Sequence, residues 1–398
     1  MNPEEVSRER YIQKLDMFRD QMGLAKVITG VRRCGKSTLL RQYRDHITSS
    51  GVPEEHIIYA TMESDEFSHI KERDDLYSLI VSKGKTERIY VFLDEVQRVK
   101  DWELAIVSAL VDTNADIYVT GSNAYMLSSD LITFLAGRYI EIHMLPFSFK
   151  EFMCAKGYGP ENKSAALREY LFVGSIPVAV RQKDLESSNI VLKGIYSEIV
   201  LKDIMGRDNV RQGSLLERVS RYVLANTGNI ISPGSLAKAI GHKNSSIIEA
   251  YLEFLHKAFI VYRVERYDIR RKQSLSSQSK YYCVDVGMRN ALLGRSAADV
   301  GRLLETTVYL ELIRRGYSVT VGSYNDLKID FTASKGDEVK HIQVTAYMSE
   351  DVLLREVRAL DMIGDHNEKM IISIDSWPGS INGIRTAEAA EWLFDDGM

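Results

Sequence analysis

Gly30-Val31-Arg32-Arg33-Cys34-Gly35-Lys36-Ser37 decides the reading of this chain. It follows the apolar run Ala25 to Thr29 and precedes Thr38-Leu39-Leu40-Arg41-Gln42-Tyr43, which has the composition of a helix. A glycine-rich loop between strand and helix lets backbone N–H groups curl around a phosphate, and the helix start turns its positive dipole end toward it. Lys36 supplies the cation for the β- and γ-phosphates, and Ser37 a hydroxyl for Mg²⁺. Gly30, Arg33, Cys34, Gly35, Lys36, Ser37 and Thr38 are therefore expected to line a site for ATP and Mg²⁺.

Working outward, Arg88-Ile89-Tyr90-Val91-Phe92-Leu93-Asp94-Glu95 is a short apolar run ending in two carboxylates. It reads as a buried parallel strand whose C-terminal end enters the active site. Asp94 is placed to hold the Mg²⁺ shell and Glu95 to orient or deprotonate the attacking water. A third apolar run, Ala115 to Thr120, leads into Gly121, Ser122 and Asn123, and these last two are the candidate sensors of the γ-phosphate. Between the two runs, Trp102, Ala105, Ile106, Ala109 and Leu110 recur at helical spacing, the mark of a βαβ crossover. The expected N-terminal fold is α/β, a P-loop NTPase with a doubly wound parallel sheet. Arg138 follows the third strand and reads in three ways: a γ-phosphate contact in cis, a finger offered to a neighbouring copy in a homo-oligomer, or half of a structural ion pair.

With 398 residues, 45% hydrophobic and 27% charged, the chain has room for two or three self-sufficient cores. No run of about 18 apolar residues suggests a membrane span, and the N-terminus lacks a basic segment followed by an apolar core. A cytoplasmic protein without membrane contact is expected. Cys34, Cys154 and Cys283 are far apart and form no metal-ligand spacing, which fits a reducing compartment. The net charge of −4 hides an asymmetry, because residues 206–272 carry 12 Lys/Arg against 6 Asp/Glu, a surplus of six that leaves the remainder at −10. A basic module in an acidic chain points either to a polyanion such as DNA or to an ordinary solvated surface.

The expected organisation is an ATPase core over 1–155, a helical lid or linker over 156–213, a winged helix-turn-helix over 214–272 and a small restriction-endonuclease-like α/β domain over 273–398. In the third part, Leu215 to Leu224 reads as one helix, Ser232-Pro233 caps a second, and Ser245-Ser246 opens the recognition helix. Phe259 to Tyr267 would form the wing. Lys243, Asn244 and Ser245 sit where such helices meet DNA, yet Glu249 and Glu253 on the same helix face phosphates badly, which fits a protein-contact or purely structural winged helix. In the last part a helix carrying Glu305 is followed by strands bearing Asp330 and Gln343. Two carboxylates and a lysine would make a nuclease centre there, but Gln343 and Thr345 stand where an acid and a lysine are needed, so nuclease activity is not expected.

Taken together, Gly30 to Ser37, Leu93 to Gln97, Thr120 to Ser122, Leu135 to Tyr139, Pro146 to Phe149, Lys280 to Gly287, Ile329 to Phe331 and Ile342 to Val344 resemble the archaeal and bacterial AAA-type ATPases that carry a C-terminal domain of uncharacterised function. The resemblance runs from about residue 8 to residue 376. It implies an ATPase core, a winged-helix segment and a degenerate nuclease-like tail. Lys328 departs from the acid usual in that pattern, a further count against a metal site at Asp330.

Overall fold

The structure is a computed structural model and describes residues 5–84, 87–121, 135, 137–206, 210, 212–271, 273–324, 327–375 and 379–395, with the side chains of 274–277 excepted. The chain divides into two compact units, Met1–Met144 and Leu145–Met398. The division falls before residue 155 because Ser148 opens a helix, Phe149–Lys156, inside the second unit. Its hydroxyl accepts from Glu151 N while the Glu151 carboxylate accepts from Ser148 N, a reciprocal cap that fixes the helix start.

The first unit is built on five parallel strands: β1 (Ala25–Thr29), β2 (Ile57–Thr61), β3 (Ile89–Asp94), β4 (Ala115–Thr120) and β5 (Tyr139–His143). Their order across the sheet is β2-β3-β4-β1-β5. β1, β3 and β4 are buried along their whole length, as strands covered on both faces must be. Val27, Val91, Leu93, Ile117 and Val119 pack with Trp102 and Ile106 of the crossover helix Trp102–Asp112. A buried ion pair lies inside this sheet. Lys26 of β1 and Asp116 of β4 are fully buried and paired through Lys26 Nζ and Asp116 Oδ1. The second Asp116 oxygen accepts from Tyr118 Oη and Asp20 N, both at 2.8 Å, so both carboxylate oxygens have partners inside the sheet. Burial lowers the Lys26 pKa, more than Asp116 restores it.

After helix Phe149–Lys156 the second unit continues with helices Lys163–Val173 and Leu185–Glu198. Helix Gly213–Ala225 then leads to the two-residue strand β6 (Ile230–Ile231), helices Pro233–Ala239 and Ser245–Lys257, and strands β7 (Val261–Asp268) and β8 (Gln273–Cys283). After helix Val300–Arg314 come β9 (Ser318–Tyr324), β10 (Leu327–Lys335), β11 (Glu338–Thr345), β12 (Glu368–Ser373), β13 (Ser380–Ile381) and β14 (Ile384–Glu388). All nine strands join one sheet, β13-β14-β12-β11-β10-β9-β7-β8-β6. β7 pairs antiparallel with β8 and parallel with β9, so the two segments read separately in the sequence share a continuous ladder.

Candidate functional site

The loop after β1 is shaped by positions that tolerate few alternatives. Gly30 has φ +146°, and a Cβ there would meet Met144 O at 2.2 Å. Gly35, at φ 108°, turns the chain into helix Lys36–Ser49, and Arg33 also sits in the left-handed region at φ 67°. Lys36 is 4% exposed, and its ammonium donates to Gly30 O at 2.9 Å and Val31 O at 3.2 Å. The cation is thus held over the loop by neutral carbonyls, bonds that an anion would outcompete. Cys34 is fully buried, and its carbonyl accepts from the Arg8 guanidinium at 3.0 Å. Arg8 N in turn donates to Gln42 Oε1 at 3.3 Å, so the chain before the sheet is tied to both loop and helix.

β3 and β4 bring the second half of the site together. The parallel register sets Leu93 beside Val119, which places Thr120 next to Asp94. Asp94 Oδ1 accepts from Thr120 Oγ1 at 2.6 Å and from Ser37 Oγ at 3.0 Å. The same Thr120 oxygen accepts from Glu95 N at 3.0 Å. Glu95 is held at φ 53°, ψ 46°, a strained conformation for a residue with a Cβ, and its carboxylate accepts from Gln97 Nε2. A bond chain therefore runs from the helix start through Ser37, Asp94 and Thr120 to Glu95. Thr120, Gln97 and Arg8 were not among the expected site residues. For Thr120 the signal was available in the adjacency of two parallel strands of equal length.

Residues 23–153 match the family model described as an AAA domain, and residues 164–299 match a domain of unknown function, DUF8612. An uncharacterised protein of Haemophilus influenzae is 37% identical over 397 residues, 98% of each chain. This chain belongs to that protein's family, and its N-terminal unit is an AAA domain. An uncharacterised protein of Methanocaldococcus jannaschii is 29% identical over 84% of this chain and 78% of its own. Among solved structures, a mutant RuvB of Thermotoga maritima covers 65% of this chain and 91% of its own at 17% identity and a TM-score of 0.34, too low an overlap to support a conclusion.

Ser122 and Asn123, the expected sensors, lie outside the described residues. Arg138 is described and exposed, with no carboxylate partner among the described residues. The register places Ala25 beside Tyr139, and Arg138 O accepts from Ala25 N at 2.8 Å. Arg138 thus stands at the starting end of β1, whereas the phosphate loop leaves the far end. Five residues at roughly 3.3 Å each separate the two ends by about 16 Å, beyond an arginine's reach. This placement argues against a γ-phosphate contact in cis, because a parallel sheet keeps all strand starts on the edge away from the loop.

In the second unit, Glu305 and Asp330 do converge, but on a lysine. Lys280 of β8 donates from Nζ to Glu305 Oε1 at 2.8 Å and lies 3.4 Å from Asp330 Oδ1. Tyr282 Oη adds a bond to Glu305 at 2.7 Å. Gln343 is consumed locally, accepting from Asp330 N at 2.8 Å and donating to Lys328 O at 3.0 Å. Burial first, then the Asp330 charge, push Glu305 up to about 7 despite Lys280. Burial lowers and the two carboxylates raise Lys280, with a net rise. The described residues contain no group of three or more metal-ligating side chains, and no described helix is long and apolar enough to cross a membrane.

The basic segment is less bare than its composition implies. Arg221 pairs with Glu217, Lys257 with Glu253 and Arg271 with Asp268. Lys238 and Lys243 have no carboxylate partner among the described residues. Lys243, Asn244, Ser245, Ser246 and Glu249 are exposed, and Asn244 caps its helix by accepting from Ser246 N at 2.9 Å.

Proposed function

We propose that the chain is a Mg²⁺-dependent ATPase whose AAA domain drives a recognition module in the second unit, with DNA as the partner. The observation that carries the hydrolytic reading is the bond chain Ser37, Asp94, Thr120, Glu95. It sets a hydroxyl and a carboxylate oxygen 3.0 Å apart, the hard donors that Mg²⁺ takes, and leads on to a second carboxylate, Glu95. Mg²⁺ bound there would neutralise charge on the phosphate oxygens during transfer. Lys36 leaves the carbonyls of Gly30 and Val31 for the β/γ-phosphates, and the N–H groups of the loop and of Thr38 at the helix start face the same anion. Glu95 takes the proton of the attacking water. Ser122 or Asn123 senses the γ-phosphate, and Arg138 acts in trans, from one copy of a homo-oligomer to the next.

The order helix, short strand, two helices, two strands over 213–283 supports reading 214–272 as a winged helix-turn-helix, with 156–213 as a helical linker. The exposed start of helix Ser245–Lys257 is the part that would meet DNA, chiefly through phosphates. The helix and strands after it support a restriction-endonuclease-like fold over 273–398 that does not cut, since an ammonium stands between the two acids. A second reading, a nucleotide-controlled switch that binds a protein, is favoured by the ion pairs that consume much of the basic charge and by Glu249. The two separate on salt. Lys238→Ala with Lys243→Ala should weaken duplex binding equally for unrelated sequences and flatten the slope of log K against log salt by about 0.9 per lost phosphate contact. An unchanged slope leaves the protein partner.

A further inference from the structure

Gln97 is a residue whose two amide atoms are in opposite situations. Its Nε2 donates to Glu95 Oε2. A carboxylate can only accept, so the atom facing it has to be the NH₂, and that fixes where the carbonyl oxygen points. Oε1 is buried and has no hydrogen-bond partner. An unpartnered buried acceptor is costly, and natural sites rarely keep one without stored strain, a catalytic role or a water to partner it. The backbone around it is equally specific. Glu95 is held in the left-handed region, its N–H fixed by Thr120, and the 3₁₀ turn Val96–Arg98 brings Gln97 back onto the Glu95 side chain. The neighbouring charges are occupied elsewhere, Arg98 by Glu63 and Asp94 by Ser37 and Thr120.

We propose that Gln97 is the positioning residue of the hydrolytic centre: its NH₂ orients the Glu95 carboxylate, and its carbonyl oxygen receives the second O–H of the attacking water. The assignment rests on the ATPase reading above and deepens it. One water hydrogen then points at Glu95 and the other at Gln97 Oε1, so the oxygen lone pair is directed away from both. As the water oxygen forms the new bond to the γ-phosphorus, its first proton passes to Glu95, and the bond between that phosphorus and the bridging oxygen breaks with its electron pair going to ADP. Without Gln97 the carboxylate loses the donor that orients it, and the water loses one of two anchors.

The test uses full-length Gln97→Met, which keeps length and bulk and removes both polar atoms, beside Gln97→Glu and Glu95→Gln. Binding of a fluorescent ATP analogue is measured in each, so a folded site is verified independently of turnover. Gln97→Met is expected to lower kcat about 10- to 100-fold at unchanged KM for ATP, the range for one hydrogen bond to a charged group. Gln97→Glu, which keeps an acceptor for the water but sets a second carboxylate where the donor to Glu95 stood, lowers kcat further at the same KM. A merely structural role would instead weaken binding of the analogue and raise KM together with the fall in kcat. If Gln97→Met turns over within threefold of wild type while Glu95→Gln is inactive, the assignment of Gln97 is wrong and the ATPase reading stands. If Glu95→Gln is as active as wild type, both fall.

Discussion

Thr120→Val is the substitution that most sharply probes how the two strands hold the hydrolytic carboxylates. Valine has nearly the same shape and suits a strand, so a fully buried position in β4 keeps its packing. What disappears is one oxygen with two bonds, 2.6 Å to Asp94 and 3.0 Å from Glu95 N. A hydrogen bond to an ionised group contributes about 1.5–3 kcal/mol, and a partly buried N–H left without an acceptor costs about 1 kcal/mol at the low end of its range. The sum is about 2.5–4 kcal/mol, or roughly 60- to 700-fold in an opening equilibrium at 1.4 kcal/mol per decade. Hydrogen exchange followed by mass spectrometry on peptides spanning 89–97 reads that local opening directly. The expected result is a protection loss of that size, together with lower ATP turnover. Thr120→Ser keeps both bonds and loses one methyl, so it should cost about 1 kcal/mol. Protection in Thr120→Val within a factor of three of wild type would show that Thr120 does not join Asp94 to Glu95.

Arg138→Ala mixed with Lys36→Ala should recover part of the ATPase activity that each lacks alone, because some interfaces then pair an intact loop with an intact arginine; no recovery at any ratio refutes the action in trans. Glu305 supplies a pH test whose sign follows from its raised pKa. Its folded form binds a proton more tightly than the unfolded chain, so its contribution to stability is full below about pH 4.5 and is lost as pH rises through about 7. Lys280, raised from an already basic value, stays charged across that window. Glu305→Gln should therefore flatten the decline in unfolding midpoint of the second unit between pH 5 and pH 8, and an unchanged decline would remove Glu305 as its source. Plasmid DNA incubated with the protein in Mn²⁺ should stay intact, and cutting that vanishes in Asp330→Ala would mean the lysine does not close the centre.

The parts of the AAA domain written in local chemistry were legible. Gly30, Gly35, Lys36 and Ser37 impose a loop by themselves, and the apolar runs of β3 and β4 can only be strands buried on both faces. β5 was not legible, because Glu141 and His143 interrupt its pattern, and its place is set by pairing with β1. β2, with alternating half-buried positions at the sheet edge, gave too short a signal. Lys26 and Asp116 look like errors in buried strands until the fold pairs them. Lys280 was quoted only as part of a motif, since its partners are 25 and 50 residues away and no local rule brings β8 to them. The place of Arg138 was hidden for a related reason: closeness in sequence to the third strand says nothing about which end of the sheet a residue occupies.

The central claim is that Glu95 serves hydrolysis and not the binding of ATP. Glu95→Gln keeps the shape of the side chain and removes the oxygen that accepts the proton, a function that contributes about 10²–10⁴-fold to rate. Single-turnover hydrolysis of radiolabelled ATP in Mg²⁺, with equilibrium binding measured on the same sample, separates the two steps. ATP affinity close to wild type and hydrolysis reduced at least 100-fold are expected. Hydrolysis within threefold of wild type, or a parallel loss of binding, would contradict that claim.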